Sequence, residues 1–433
     1  MDPAAADAEL AGALRRAGLD PPSPPADPGP GRCPVLEWAA SGAMALTGRP
    51  DGPPLAPTGP VLARLGAAAR LVAAAGGGEP PDPGALLAAR ARHRPLRRAG
   101  RRSAGGACAL LASADGWVAV NLARPDDVET ALAVLAPGVD GDPVDALAGA
   151  VTGVPASTVV DTLQLLGVPA AALTGRRVAT PVAVLARGPS VGRRRRAPLV
   201  VDLSAMWAGP LCAHLLGRAG ARVVTVEDPG RPDGARVGDP RLHAELHAGH
   251  PLAPVDLSGA PGRRALAELV ASADVVVEGS RPRALDQLGV DPFAFVAGRP
   301  GRTWVSITGY GRAGPWANRV AFGDDAAVAG GLVAREDSGD PVFCADAVAD
   351  PVSGLYAAAA ALVSVAAGGG HLLSVAMADA AAFAGAGPGC AHRHRVAGDG
   401  DRWRVACGDE WADVVVPVPA GAAGRPRRTR GAA

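Results

Sequence analysis

Leu199-Val-Val-Asp-Leu203, Arg222-Val-Val-Thr-Val-Glu227, Asp274-Val-Val-Val-Glu278 and Thr303-Trp-Val-Ser-Ile-Thr308 are short runs rich in β-branched residues, and what lies between them decides the fold. The segments 210–218, 262–272 and 283–288 carry helical spacing of apolar residues. Strands that alternate with helices form a largely parallel sheet covered by helices on its faces. The expected fold class is therefore α/β, with a Rossmann-like, largely parallel sheet as its core. Ligands in such sheets sit beyond the carboxyl ends of the strands, so the loops after Leu203, Glu227, Glu278 and Thr308 form the candidate rim. A dinucleotide fold fits poorly. The first strand runs into Ser204-Ala-Met-Trp-Ala-Gly-Pro210, which has no GxGxxG and places proline where the pyrophosphate turn belongs.

Outward from this core, Gly, Pro and four consecutive arginines mark a boundary at 187–198, read as a solvated linker. Before it, 21–34 is Pro-rich and reads as an extended arm. Helical patches follow at 37–46, 61–75, 83–91, 126–135 and 156–166, with a strand at 116–122 and an apolar segment at 178–186. The expected division is an arm at 1–32, a smaller α+β domain at 33–186, the linker at 187–198, the core at 199–389 and a tail at 390–433.

The chain has 433 residues and is 48% hydrophobic, ample for sizeable cores. Its 43 basic and 42 acidic residues nearly cancel, so no overall field favours nucleic acid or an anionic membrane. Every basic residue is arginine. Without lysine there is no Schiff-base chemistry, no pyridoxal phosphate anchor and no Walker-type phosphate loop. Cys33, Cys108, Cys212, Cys344, Cys390 and Cys407 form no CxxC pair and read as isolated thiols in a reducing compartment, neither a zinc site nor a disulfide framework. The N-terminus lacks a signal-peptide pattern, and 357–370 is too short and alanine-rich to read as a membrane span, so a cytoplasmic protein is expected.

Asp350 stands out among the acids. It lies in Pro341-Val-Phe-Cys-Ala-Asp-Ala-Val-Ala-Asp-Pro-Val-Ser-Gly354, where a loop enters an alanine-rich helix. A carboxylate there is partly desolvated yet held by helix-end amides, which suits a nucleophile or an acid/base; it equally suits a plain N-cap.

Several ordered motifs carry a family resemblance. Val201-Asp-Leu-Ser-Ala-Met-Trp-Ala-Gly-Pro-Leu-Cys212, Gly220-Ala-Arg-Val-Val-Thr-Val-Glu227, Leu246-His-Ala-Gly-His250, Val255-Asp-Leu257, Ala273-Asp-Val-Val-Val-Glu278, Arg281-Pro-Arg-Ala-Leu285 and Ser306-Ile-Thr-Gly-Tyr-Gly-Arg-Ala-Gly-Pro315 follow one another. Together they resemble the class III coenzyme A-transferase (CaiB/BaiF) family over 199–383.

The resemblance implies a CoA-transferase that moves CoA from an acyl-CoA donor to a carboxylic acid, with Asp350 as the catalytic nucleophile and Asp346 as the fallback. It implies an aspartyl anhydride followed by an aspartyl-CoA thioester, CoA as substrate, no prosthetic group, no metal, and a homodimer. Trp207 and Ala208 match the loop that touches CoA; Val255, Asp256, Leu257 and Ser258 match the strand end that holds the nucleotide; Gly279, Ser280 and Arg281 match the next loop. Arg281 is the best phosphate partner, because a planar guanidinium suits phosphate oxygens. Trp207 can stack on adenine, shield the thioester or fill core.

Some positions depart from the family. His247-Ala-Gly-His250 stands where many members carry lysine, and Asp228 where some relatives place arginine. Related 2-methylacyl-CoA racemases use a histidine where this chain has Gly323, so that reading loses its base; Asp324 and Asp325 beside it read as surface carboxylates, with polar contacts near the pocket as the alternative. These changes leave a non-catalytic relative, one that binds CoA or regulates a partner enzyme, as the alternative. Trp38-Ala-Ala-Ser-Gly-Ala-Met-Ala-Leu-Thr-Gly48, Gly105-Gly-Ala-Cys108 and Ala114-Asp-Gly-Trp-Val-Ala-Val120 resemble family segments that normally lie around or after the catalytic loop. A rearranged layout is expected, with 33–185 supplying the substrate-side wall. In the tail, His392, Arg393, His394 and Arg395 read as a solvated loop, Trp403 and Trp411 fall in a strand-like segment, and 425–433 reads as disordered.

Overall fold

A computed structural model describes residues 1–23, 29, 31–192, 197–390, 392–399 and 402–417. The arginine run at 193–196, the middle of the Pro-rich stretch and the segment 425–433 lie outside the described residues.

The chain begins with α1 (Pro3–Ala17), α2 (Pro34–Ala40), α3 (Val61–Gly76), α4 (Pro83–Leu87), β1 (Cys108–Ser113), β2 (Gly116–Asn121), α5 (Pro125–Leu135), α6 (Pro143–Val151), α7 (Ala156–Leu165), β3 (Ala170–Ala172) and β4 (Ala183–Arg187). It continues through β5 (Leu199–Asp202), α8 (Ala208–Arg218), β6 (Arg222–Glu227), α9 (Ala235–Gly238), α10 (Pro240–Leu246), β7 (Leu252–Pro254), α11 (Ala260–Ser272), β8 (Val275–Glu278), α12 (Pro282–Leu288), α13 (Pro292–Gly298) and β9 (Thr303–Thr308). Last come α14 (Gly323–Ala329), β10 (Ala334–Arg335), β11 (Pro341–Val342), α15 (Ala349–Ala366), β12 (His371–Ala376), α16 (Met377–Gly385), β13 (His394–Asp399), β14 (Arg402–Cys407) and β15 (Glu410–Asp413).

The core is a seven-stranded sheet in the order β4-β12-β9-β8-β5-β6-β7. Every neighbouring pair is parallel except β4 with β12. Alternate side chains face opposite layers, as a two-sided buried sheet requires. Val200, Val275, Val277, Val305 and Val375 join α8 and α15 in one core, whereas Val201, Val276, Trp304 and Leu372 join α11 and α13 in another. The α/β expectation is met, and the carboxyl ends of β5, β6, β8 and β9 share one edge.

Helix α15 fills the centre. Its alanines favour helix, Pro351 is accepted in the first turn, and left-handed Gly368, Gly369 and Gly370 end it. By length and composition alone α15 is apolar enough to cross a membrane, but here it is a core helix, mostly buried. Gly354 lets α15 approach α8 closely: a β-carbon there would come within 2.6 Å of the Ala208 carbonyl oxygen.

The expected division of the chain is redrawn by packing. The arm assigned to 1–32 contains α1, whose Asp7 and Glu9 pair with Arg70 and Arg64 of α3. The apolar segment before the linker is β4, an edge strand of the core sheet, so 183–187 belongs to the core. The smaller unit is the antiparallel sheet β1-β2-β3 with α5, α6 and α7. Ala109, Leu111, Val118 and Val120 face those helices, while Cys108, Leu110 and Ala119 turn toward Val328 of α14 and Phe343. The strand β1 and helices α1 and α6 were not foreseen; the short alternations of β1 and the alanine-rich periodicity of α1 and α6 are weak signals. In the tail, His394 opens β13 of an antiparallel β13-β14-β15 sheet, where a solvated loop was expected.

Candidate functional site

Asp350 lies in the first turn of α15, half-buried, with its N–H donating to the Ala347 carbonyl at 2.9 Å. The loop before it is strained. Ala345 and Ala347 have φ of 56° and 44°, and Met206, in the loop after β5, has φ of 71°. These are the non-glycine residues with left-handed backbone among the described residues, and all lie in the two loops that converge where α15 meets α8. Such conformations cost about 1–3 kcal/mol each and persist only where the surroundings fix them. Each is fixed by a side-chain acceptor on its own N–H: Thr47 Oγ1 for Ala345 at 3.0 Å, Asp324 Oδ1 for Ala347 at 2.8 Å and Asp233 Oδ2 for Met206 at 3.0 Å.

Around Asp350 the fold collects carboxyl groups. Asp324, Asp325 and Asp346 are all buried, which corrects the reading of Asp324 and Asp325 as surface carboxylates. Packing of α14 beneath the β1-β2-β3 sheet covers them. Asp325 Oδ1 accepts from Asn121 Nδ2 at 3.0 Å and from the Phe322 N–H at 2.9 Å, while Oδ2 has no partner. Arg90 is the cation of this cluster, reaching Asp346 at 3.2 Å and Asp239 at 3.7 Å, with its guanidinium 6.0 Å from the Trp207 ring.

Burial raises every one of these acids. Asp350 is pushed up to about 8, first by burial and then by Asp324, against the pull of Arg90. Asp325 rises to about 7 and Asp346 to about 6, again chiefly by burial, and Asp324 is also raised.

The residues matched to CoA contacts lie along the carboxyl edge of the sheet. Trp207 and Ala208 open α8 and are both buried; the Trp207 ring lies under Arg90 rather than in the open. Val255 is buried after β7 and Leu257 half-buried. Asp256 and Ser258 are exposed and bonded to each other, Ser258 Oγ donating to Asp256 Oδ1 at 2.6 Å, which keeps the Asp256 carboxyl below its usual range. Gly279, Ser280 and Arg281 follow β8, the Ser280 N–H donating to Glu278 Oε2 at 2.7 Å.

Arg281 has its proton affinity lowered by burial and then by Arg283 of α12, Arg231 after β6 and Arg124 before α5, so arginines from three separate segments share one region of positive potential. Among the described residues, the guanidinium groups of Arg231, Arg281 and Arg283 carry no hydrogen bond or ion pair. The departures from the family are visible here too. His250 is driven down to about 4 by burial, His214 and His247, and is therefore neutral. Asp228 accepts the Gly230 N–H at 2.9 Å and so caps the turn that carries Arg231.

Sequence reading missed Arg90, Asn121, Thr47, Arg231 and the partnership of Asp324 with Ala347. Arg90 sits in an arginine-rich stretch with nothing local to single it out, and Asn121 ends an ordinary strand; only the three-dimensional arrangement joins them to the acids. Cys33, Cys390 and Cys407, expected as isolated thiols, converge with His394. Residues far apart in sequence supply them, so no spacing signal exists.

Residues 198–402 match the family model described as CoA-transferase family III. A succinyl-CoA:glutarate CoA-transferase of Mus musculus is 32% identical over 167 residues, covering 36% of this chain and 38% of that protein. A succinyl-CoA–D-citramalate CoA-transferase of Chloroflexus aurantiacus is 29% identical over 175 residues, covering 38% of this chain and 44% of the relative. Among solved structures, a CaiB/BaiF family protein from Brucella suis is 30% identical over 46% of this chain and 55% of that chain, with a TM-score of 0.38. The chain thus spans less than half the length of these two enzymes. The ordered motifs and the parallel core agree with that match: residues 198–402, just under half of the chain, are similar to CoA-transferase family III.

Proposed function

We propose that this protein transfers CoA from an acyl-CoA to a carboxylic acid, with Asp350 as the nucleophile. The observation that carries the reading is the position of Asp350: the first turn of a buried helix, one turn before Gly354 packs on Ala208 of α8, with its carboxylate against Gly323. One Asp350 oxygen attacks the thioester carbonyl, the C–S bond breaks, and CoA leaves as thiolate. The thiolate then attacks the aspartyl carbonyl of the mixed anhydride and releases the donor acid. An acceptor carboxylate attacks the resulting aspartyl-CoA thioester, and the expelled thiolate takes the new acyl group while Asp350 is regenerated. Thioester and anhydride are close in energy, so each exchange runs in both directions.

Residues from both halves of the chain support this chemistry. Arg90 is the nearest fixed positive charge to the acids and favours ionised Asp350. Arg281, Arg231 and Arg283 suit the phosphates of CoA, and Trp207 with Ala208 suits the thioester end. Dicarboxylates are the proposed acceptor class, since the relatives named above pair succinyl-CoA with glutarate or D-citramalate. A homodimer in a reducing, cytoplasmic setting completes the proposal.

A second reading has its own observation. With its carboxyl at about 8, free Asp350 is mostly protonated at neutral pH, as in a relative that binds CoA without turnover. Incubation of succinyl-CoA with a panel of dicarboxylates, followed by chromatography of CoA esters, separates the two. New CoA esters that vanish in Asp350→Asn while CoA-ester binding persists support transfer; binding without new esters in the unaltered protein supports the second reading.

A further inference from the structure

We propose that Cys33, Cys390, Cys407 and His394 form a structural zinc site that fastens the N-terminal half of the chain to its C-terminal sheet. Their four donor atoms lie within 4.8 Å of one another. Cys33 Sγ is 3.6 Å from Cys390 Sγ and 3.1 Å from His394 Nε2. Sulfurs bound at about 2.3 Å to one tetrahedral ion stand about 3.8 Å apart, close to the cysteine spacing here. A disulfide needs about 2.05 Å and uses thiols in pairs, which leaves the third sulfur unexplained. Three thiolates and an imidazole are a borderline-soft donor set that selects Zn²⁺ over Mg²⁺ or Ca²⁺.

Local structure presents each ligand. Cys33 is the residue before α2, and Cys390 lies in the segment after α16. His394 and Cys407 are direct cross-strand partners on β13 and β14, so one register fixes two ligands on one face. His394 is half-buried, whereas its neighbours His392, Arg393 and Arg395 are exposed. An ion pair from Arg32 Nε to Glu410 Oε1 at 2.9 Å joins the same two segments beside the cluster.

The β13-β14-β15 sheet has few apolar anchors in the core, chiefly Val405, Ala412 and Val414. A small antiparallel sheet with so little buried surface is the kind of element that a metal staples. The staple also bears on the site: α2 and the turn Met44–Leu46 lead from Cys33 to Thr47, which holds the strained Ala345.

The test uses the full chain without an affinity tag. Elemental analysis is expected to give about one zinc per chain, released by a mercurial thiol reagent. Cobalt exchanged into the unaltered protein is expected to give thiolate charge-transfer absorption and intense tetrahedral d–d bands, a readout independent of activity and of any variant. Cys33→Ser, Cys407→Ser and His394→Ala are expected to lose zinc, while His392→Ala retains it although His392 Nδ1 is 3.3 Å from Cys390 Sγ. Protein that neither carries zinc nor takes it up from a chelator buffer overturns the proposal. So does a Cys33–Cys390 disulfide in non-reducing peptide maps, or zinc that remains in those ligand variants.

Discussion

The carboxylate of Asp350 lies against the backbone of Gly323, so closely that a β-carbon on Gly323 would come within 2.3 Å of Asp350 Oδ2. The same β-carbon would also lie 2.3 Å from the Ala347 carbonyl oxygen, so the clash is with fixed backbone as well as with a side chain. Gly323→Ala is expected to destabilise the fold by about 1–3 kcal/mol, the usual range for overpacking. Because the displaced atoms belong to the proposed nucleophile, turnover should fall further than stability does. Urea denaturation and transfer assays on the same variant check both; a stable, fully active Gly323→Ala contradicts this placement.

Burial of the acids makes a statement about pH. Carboxyls raised from 3.8 to about 8 at Asp350, about 7 at Asp325 and about 6 at Asp346 favour the folded state when protonated. Their contribution is fully present below about pH 4 and is lost as pH rises through those values. Melting temperature should therefore fall between about pH 5 and pH 9, while transfer by ionised Asp350 should increase up to about pH 8. Asp325→Asn, which keeps an acceptor for Asn121, should flatten the melting profile; a profile unchanged by that variant counts against the argument.

Arg281 offers a guanidinium with no hydrogen bond or ion pair among the described residues, next to Arg231 and Arg283. Arg281→Ala is expected to raise KM for CoA esters about tenfold, the loss of roughly one charge-assisted contact, with kcat little changed. Arg281→Lys should recover part of that loss, since lysine keeps the charge but not the planar fork. Steady-state kinetics at two ionic strengths check this, because a phosphate contact weakens with salt.

The first half of the chain reaches the acids through Asn121, whose Nδ2 donates to buried Asp325 at 3.0 Å. Asn121→Ala leaves that carboxyl with one partner fewer and should cost about 1–3 kcal/mol. Asp325→Ala combined with Asn121→Ala should cost less than the sum of the two, because each single variant breaks the same bond. Strict additivity in a double-mutant cycle would show the contact to be energetically silent.

The parallel core was readable because its strands are short β-branched runs separated by helical segments, and both faces of Val275-Val276-Val277 are buried. That Asp350 stands at a helix start was readable from Pro351 after it. What escaped depends on chain segments meeting across long separations. Arg90 and Asp346 are 256 residues apart, and Asn121 and Asp325 are 204 apart. Burial of Asp324 and Asp325 likewise follows from α14 packing under a sheet formed by a distant segment. A Gly-Asp-Asp at a helix start looks, in sequence, like any exposed first turn.

Peptide mass spectrometry after incubation with succinyl-CoA and a hydroxylamine quench tests the central claim most directly. An acylated or CoA-bound Asp350 is an activated carboxyl, so hydroxylamine should leave a hydroxamate on the peptide that contains it, and none in Asp350→Asn. An unmodified Asp350 peptide under conditions of demonstrated CoA-ester turnover, or a hydroxamate on Asp346 instead, would contradict the account.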